Sequence, residues 1–250
     1  MEINKIYCED CLDTMARMQD NFVDLTVTSP PYDNLRTYKG YSFDFKSVIK
    51  ELFRVTKQGG VVVWIVNDAT IKGSETGTSF KQALFFKDCG FNLHDTMIWE
   101  KESFSNPFPN RYHQVFEYMF IFSKGKIRTF NPLIDRKNKY GGKMMSSTVR
   151  EADGSLSSRS PKLINDYGKR FNVWKQVVVK HRGGHPAPFP EQLANDHIIS
   201  WSNEGDLVYD PFIGSGTTAK MAILNKRNWI GSEISKEYFN MAKNRIKEYL

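Results

Sequence analysis

The chain has 250 residues, enough to bury a full α/β core as one domain with a modest insertion and too few for a second large domain. Hydrophobic residues make up 40%, no apolar stretch is long enough to cross a bilayer, and Met1-Glu2-Ile3-Asn4-Lys5 lacks the layout of a signal peptide. A cytoplasmic protein without membrane association is expected. The formal charge of +7 is uneven: Lys124 to Arg182 holds fifteen Lys and Arg against four Asp and Glu, leaving a mildly acidic remainder. Such a basic segment suits a phosphate backbone, so nucleic acid is the expected partner.

From the amino end, Ile6 to Cys8 has strand character, and Leu12, Met15 and Met18 share one helix face. Cys8, Cys11 and Cys89 are too few for a disulfide framework, and Cys8 with Cys11 lacks the second ligand pair of a zinc site. Val23-Asp24-Leu25-Thr26-Val27-Thr28 reads as a buried strand, after which Pro30 and Pro31 stop strand and helix alike at Ser29-Pro30-Pro31-Tyr32. Alone, that string is strand-to-loop punctuation. Val48, Leu52 and Val55 form a second helix stripe, and strands are expected at Val61 to Val66, Thr96 to Trp99 and Tyr118 to Phe122.

From about Ile127 to Asn172 the periodicity fails. Asn138, Tyr140-Gly141-Gly142, Ser146-Ser147-Thr148 and Asp153 through Pro161 are turn and loop chemistry, which marks an insertion rather than a second core. Three prolines in His185-Pro186-Ala187-Pro188-Phe189-Pro190 impose an extended path. His181 and His185 lie four residues apart, but no further His, Cys or acid at ligand spacing completes a set around them, so no metal site is expected.

Leu207 to Tyr209 is a further strand, ending in Asp210-Pro211-Phe212-Ile213-Gly214-Ser215-Gly216-Thr217-Thr218. Its glycines let the backbone wrap a ligand, and a helix from about Thr217 to Lys226 favours a negative group at its start. A nucleoside-triphosphate loop needs Lys directly before its final Ser or Thr, whereas Gly216 is followed by Thr217; the carboxylate of an amino acid fits as well as phosphate. A strand at Trp229 to Gly231, then Glu233, precede a stripe of Tyr238, Met241, Ala242 and Ile246. This alternation predicts a mostly parallel sheet covered by helices on both faces, with ligands at the carboxyl ends of its strands, where both strings sit.

Four strings, Ser29 to Tyr32, Asn106-Pro107-Phe108-Pro109-Asn110-Arg111 through Glu117 to Lys124, His185 to Pro190, and Asp210 to Thr218, together resemble the beta-class S-adenosylmethionine-dependent DNA amino-methyltransferases. In that family the catalytic motif precedes the cofactor motif. The resemblance implies a class I methyltransferase-like, Rossmann-like α/β fold in circularly permuted order, a single catalytic domain over 1–250, and a target-recognition region over 127–172 that orders in part on DNA. It further implies S-adenosylmethionine as cofactor, DNA as substrate and a bacterial or phage origin. It admits a homodimer and a cognate restriction endonuclease, for neither of which the chain has a local signature.

By the same resemblance, Ser29, Pro30, Pro31 and Tyr32 form the catalytic loop. The Ser29 oxygen and Pro30 carbonyl would accept from an exocyclic amine, and Tyr32 would stack on a flipped base. Tyr112 and Phe116 would be an opposing wall or ordinary packing beside the strand. Asp210, Phe212, Gly214, Ser215, Gly216 and Thr217 would hold the methionine end, with Phe189, and more weakly His185, closing over it. Glu233 would accept from the ribose hydroxyls, and Asp10 would meet the adenine or cap the next helix.

No cysteine follows a proline as in cytosine-C5 enzymes, so covalent carbon methylation has no nucleophile. The opening serine favours cytosine-N4 over adenine-N6, whose enzymes more often open with aspartate. Glutamine or RNA amino-methyltransferases open with asparagine and carry the glycine loop earlier. A non-catalytic nucleic-acid-binding module would not need Ser29, Tyr32, Asp210 and Glu233 together.

Overall fold

A computed structural model of the chain describes residues 1–31, 43–104, 109–176 and 190–250. The chain divides into two compact units, Met1–Asn131 with Asn172–Leu250, and Pro132–Phe171. The first opens with β1 (Lys5–Tyr7), α1 (Cys11–Ala16), β2 (Val23–Thr28), α2 (Phe45–Val55) and β3 (Thr56–Val66). A small hairpin, β4 (Thr70–Ile71) and β5 (Ser74–Glu75), leads to α3 (Thr78–Asp88), β6 (Asn92–Lys101) and β7 (Phe116–Ser123). The second unit contributes β8 (Arg136–Lys137), β9 (Met144–Arg150), β10 (Leu156–Leu163) and β11 (Tyr167–Gly168). The first then resumes with β12 (Val173–Gln176), α4 (Glu191–Trp201), β13 (Leu207–Asp210), α5 (Thr217–Leu224), β14 (Asn228–Ser232) and α6 (Lys236–Ile246).

Eight strands form one sheet in the order β1-β14-β13-β2-β3-β7-β6-β12. Only β7 runs against its neighbours; every other adjacent pair is parallel. β2 and β13 are buried at every position, as strands covered on both faces must be. On one face Val62, Trp64, Val66, Phe120 and Phe122 join a cluster with Met15 of α1, Ile49 and Leu52 of α2, and Phe86 of α3. On the other, Val63, Ile65, Met119 and Ile121 are buried too, and His197 of α4 reaches the Met119 sulfur at 3.3 Å.

The amino ends of β2 and β13 are held by Asp24. Its buried carboxylate accepts from the Leu207 amide at 3.0 Å and the Lys57 ammonium at 2.7 Å. At the start of α2, Asp44 accepts from the Lys46 and Ser47 amides, satisfying donors that have no carbonyl a turn earlier.

All seven expected strands form. The helix expected from Thr217 stops at Leu224 rather than Lys226. Met18 lies past the end of α1 but stays buried, and on α6 only Ala242 and Ile246 of the expected stripe are fully covered. Two helices escape the apolar-stripe criterion because they bury polar side chains: Ser79 and Gln82 on α3, and Asp196, His197 and Ser200 on α4.

The second unit corrects an expectation. Where loop chemistry was expected, Met144–Arg150 and Leu156–Leu163 pair as an antiparallel ribbon, and β8 pairs with β11. Nearly every ribbon residue is exposed, so neither face imposes the alternation by which a half-buried strand is recognised. Pro161 sits at the register shift between Arg159 and Lys162, where a missing donor is tolerated. Arg170 pairs with Asp135, and the Arg136 guanidinium lies 4.4 Å from the Phe171 ring centroid. Among the described residues, no helix is long and apolar enough to cross a membrane.

Candidate active site

β2 and β13 are adjacent and parallel, with Val208 opposite Leu25 and Tyr209 opposite Thr26. Their carboxyl ends therefore emerge side by side, bringing the Ser29 loop next to the glycine loop. A buried carboxylate joins them. Asp210, 1% exposed, accepts from the Thr28 hydroxyl at 2.6 Å, the Phe212 amide at 3.0 Å and the Thr218 hydroxyl at 2.7 Å. Burial pushes its carboxyl up to about 6 in spite of those three hydrogen bonds. Ser29 is half-buried, Pro30 buried and Pro31 half-buried.

The glycine loop is wedged between β14 and α6. Gly216 opens α5 at φ +84°, and a Cβ there would lie 3.2 Å from Ala242 Cβ. Gly231 on β14 lies so close to Ile213 that a Cβ would fall 2.2 Å from its side chain. The Ile213 amide donates to the Ser232 carbonyl at 3.0 Å, so the loop continues the sheet's hydrogen bonding past the strand ends.

Glu233 follows β14 and is 9% exposed. One carboxylate oxygen accepts from the Gly214 amide at 3.0 Å and the other from the Ser235 amide at 2.8 Å. Burial pushes the carboxyl up, and the charge of Asp210 adds to that, against the two amides. The Glu233 amide donates to the Tyr7 carbonyl at 3.0 Å, which draws the end of β1 beside it. Asp10 comes three residues after Tyr7 and caps α1, accepting from the Leu12 amide at 2.8 Å. The helix-cap reading of Asp10 is thus realised, at the same end of the sheet as Glu233.

Phe212 packs edge-on to Phe43 at 5.2 Å and against Trp64 at 6.4 Å, so its ring roofs the core. Phe116 packs edge-on to Tyr118, whereas Tyr112 is wholly exposed. Tyr32, His185 and Phe189, with Asn106 to Phe108, lie outside the described residues. Thr28 and Thr218 escaped the sequence reading because a threonine at a strand or helix end has many local uses. Asp68, just past β3, was also unmarked; it accepts from the amide and hydroxyl of Ser79 at the start of α3. No group of three or more His, Cys, Asp or Glu able to hold a metal occurs among the described residues.

The profile of a family described as DNA methylase, of the N6/N4 type, matches residues 23–244. The chain is 59% identical over 241 residues to the orphan methyltransferase M.BamHII of Bacillus amyloliquefaciens, covering 92% of this chain and 91% of the relative. It is 28% identical to the type II methyltransferase M.BglII of Bacillus subtilis, covering 96% and 68%. Among solved structures, the cytosine-N4-specific PvuII DNA methyltransferase aligns with a TM-score of 0.71 at 19% identity, covering 100% of this chain and 92% of that one. The complex of M1.HpyAVI with S-adenosylmethionine aligns with a TM-score of 0.63 at 22% identity, covering 96% and 98%. These two likenesses are of fold. With the profile spanning most of the sheet and one relative alike along nearly its whole length, the chain belongs to the N6/N4 DNA methylase family.

Proposed function

We propose that the protein is a site-specific DNA methyltransferase that moves the methyl group of S-adenosylmethionine to the exocyclic N4 of a flipped cytosine. One observation carries the reading: the Ser29 loop and the glycine loop leave neighbouring strands and are joined through Thr28 and Asp210. Cytosine rather than adenine rests on Ser29, since a serine opening resembles the cytosine-N4 enzymes more often than the adenine-N6 enzymes.

The residues fit the cofactor. The opening amides of α5 have no carbonyl a turn earlier and can receive the methionine carboxylate beside Gly214, Ser215, Gly216 and Thr217. Each Glu233 oxygen accepts one amide and keeps a lone pair for a ribose hydroxyl. Asp10, the cap of α1, would meet the adenine. Asp210 and Phe212 would support the loop, and Phe189 would close over the methionine end. When bound, the cofactor supplies an electrophilic methyl on a sulfonium.

The chain's own groups do the rest. A cytosine amine is a poor nucleophile because its lone pair is delocalised into the ring. The Ser29 oxygen and the Pro30 carbonyl accept its two N–H groups and turn the lone pair toward the methyl. Tyr32 offers a flat face to the extruded base, with Pro31 fixing the turn. With Ser29 and Pro30 holding the amine, the methyl would pass directly from sulfur to nitrogen, and the amine would release one proton to solvent.

DNA is held by the region over 127–172. Within it, Pro132–Phe171 carries nine Lys and Arg against four Asp and Glu. The β9–β10 ribbon is a two-stranded element of the width a major groove admits. Nucleoside mass spectrometry of DNA after incubation with enzyme and S-adenosylmethionine tests the whole reading. N4-methylcytosine supports it, N6-methyladenine overturns the choice of base, and unmodified DNA overturns the activity.

A further inference from the structure

Helix α6 carries a cation aimed at the glycine loop. One guanidinium nitrogen of Arg245 donates to the Ser215 carbonyl at 3.1 Å, the Ser215 hydroxyl at 3.0 Å and the Thr217 hydroxyl at 3.1 Å. Its other terminal nitrogen donates to Glu191 at 2.5 Å. Glu191 opens α4 and also accepts from Lys220 of α5 at 2.7 Å. Burial pushes the Glu191 carboxyl up, but Lys220 and Arg245 outweigh it and hold the carboxyl below its ordinary value. One planar fork thus touches the glycine loop and the start of α4.

The packing of α6 does not need this side chain. Ala242 and Ile246 are the buried residues of that helix, and both lie against Gly216. The Arg245 side chain keeps 28% of its surface exposed, so it is not part of the buried face of that helix. What the guanidinium adds is geometry: three oxygens of a glycine-rich segment held at fixed separations. It also adds charge, because Arg245 and Lys220 share a single carboxylate and leave a net positive charge behind the opening of α5.

We propose that Arg245 is a positioning residue of the cofactor loop, holding Ser215 and Thr217 so that the start of α5 presents its amides to the methionine carboxylate, and tying that loop to α4 through Glu191. The proposal rests on the reading that the glycine loop binds S-adenosylmethionine.

The test measures S-adenosylmethionine affinity by calorimetry, alongside steady-state methylation, in the full chain. Arg245→Met is expected to raise the Kd and KM for the cofactor by about tenfold or more, the scale of a lost charge-assisted hydrogen bond. The kcat at saturating cofactor is expected to stay within about twofold, because the interaction is not made with the reacting atoms. Arg245→Lys keeps the charge without the fork and is expected to recover part of the affinity. An unchanged Kd in Arg245→Met, or a loss of kcat at unchanged KM, overturns the proposal. If Arg245→Met does not fold, Glu191→Gln decides: weaker cofactor binding supports the link to α4, and unaltered binding overturns it. Failure of the wild type to bind S-adenosylmethionine would instead overturn the reading of the glycine loop itself.

Discussion

Thr28 and Asp210, 182 positions apart in sequence, share a 2.6 Å hydrogen bond between the ends of two adjacent parallel strands. Thr28 immediately precedes Ser29, and Asp210 immediately precedes the glycine loop. The bond therefore sets the distance between the loop expected to hold the base and the loop expected to hold the methyl donor. Thr218 repeats the bond from the start of α5, so one carboxylate registers β2, β13 and α5 together. Transfer between two bound molecules depends steeply on their separation, so on the proposed reading this joint is expected to bear on the rate.

Thr28→Val keeps the shape of the strand and removes one donor from the buried carboxylate. It is expected to destabilise the protein by about 1–3 kcal/mol, the cost of leaving a buried charged acceptor short of a partner. Urea unfolding measures this. A midpoint unchanged from wild type would show that the hydroxyl contributes nothing to the joint.

Asp210 gives the stability a pH dependence of predictable sign. Its carboxyl is raised to about 6 in the folded protein against 3.8 ordinarily, so the native state holds the proton more tightly than the unfolded chain. The stabilisation is complete below the unfolded value and is lost as pH rises through about 6. The full span is about 3 kcal/mol. Stability of wild type relative to Asp210→Asn is expected to fall between roughly pH 4 and pH 7. A difference that stays flat across that range in urea titrations would refute the shift. A cationic cofactor beside the loop favours the ionised form, so its affinity is expected to rise over the same interval.

Ser29→Ala is expected to leave S-adenosylmethionine binding intact while lowering kcat by about 100-fold, the usual effect of removing one positioned polar group from a transition state. Calorimetry and initial rates on the same preparation separate the two effects. A full methylation rate would remove Ser29 from the chemistry and, with it, the argument for cytosine.

Neutralising Arg136, Lys137, Lys139 and Lys143 together is expected to weaken DNA binding and to reduce the salt slope by about 0.9 for each phosphate that is no longer neutralised. Fluorescence anisotropy across a salt series gives that slope directly. An identical slope would mean that the phosphates are neutralised by other residues.

The strands of the main sheet were legible because burial on both faces leaves continuous β-branched runs, as in Val61 to Val66. The glycine loop was legible because only glycine permits Gly216 its backbone angle above Ala242. What stayed hidden was polar. α3 and α4 bury serine, glutamine, aspartate and histidine, which break an apolar stripe. The role of Asp210 as a joint depends on Thr28, whose proximity exists only once β2 and β13 are paired. Arg245 sits in a helix rich in Lys and Arg that reads as a solvated face, and only the packing of α6 under Gly216 turns it inward.

The β9–β10 ribbon answers to no core, since almost every side chain on it faces water. Exchanging any one of those exposed side chains is expected to shift folding free energy by about 0.5 kcal/mol or less. If the ribbon reads the target as proposed, a combinatorial library across its exposed strand positions is expected to yield altered methylation sites while the sheet and its two loops are left as they are. Compared with strand ends joined by buried carboxylates, this ribbon is a stretch that mutation can explore at low risk to the fold.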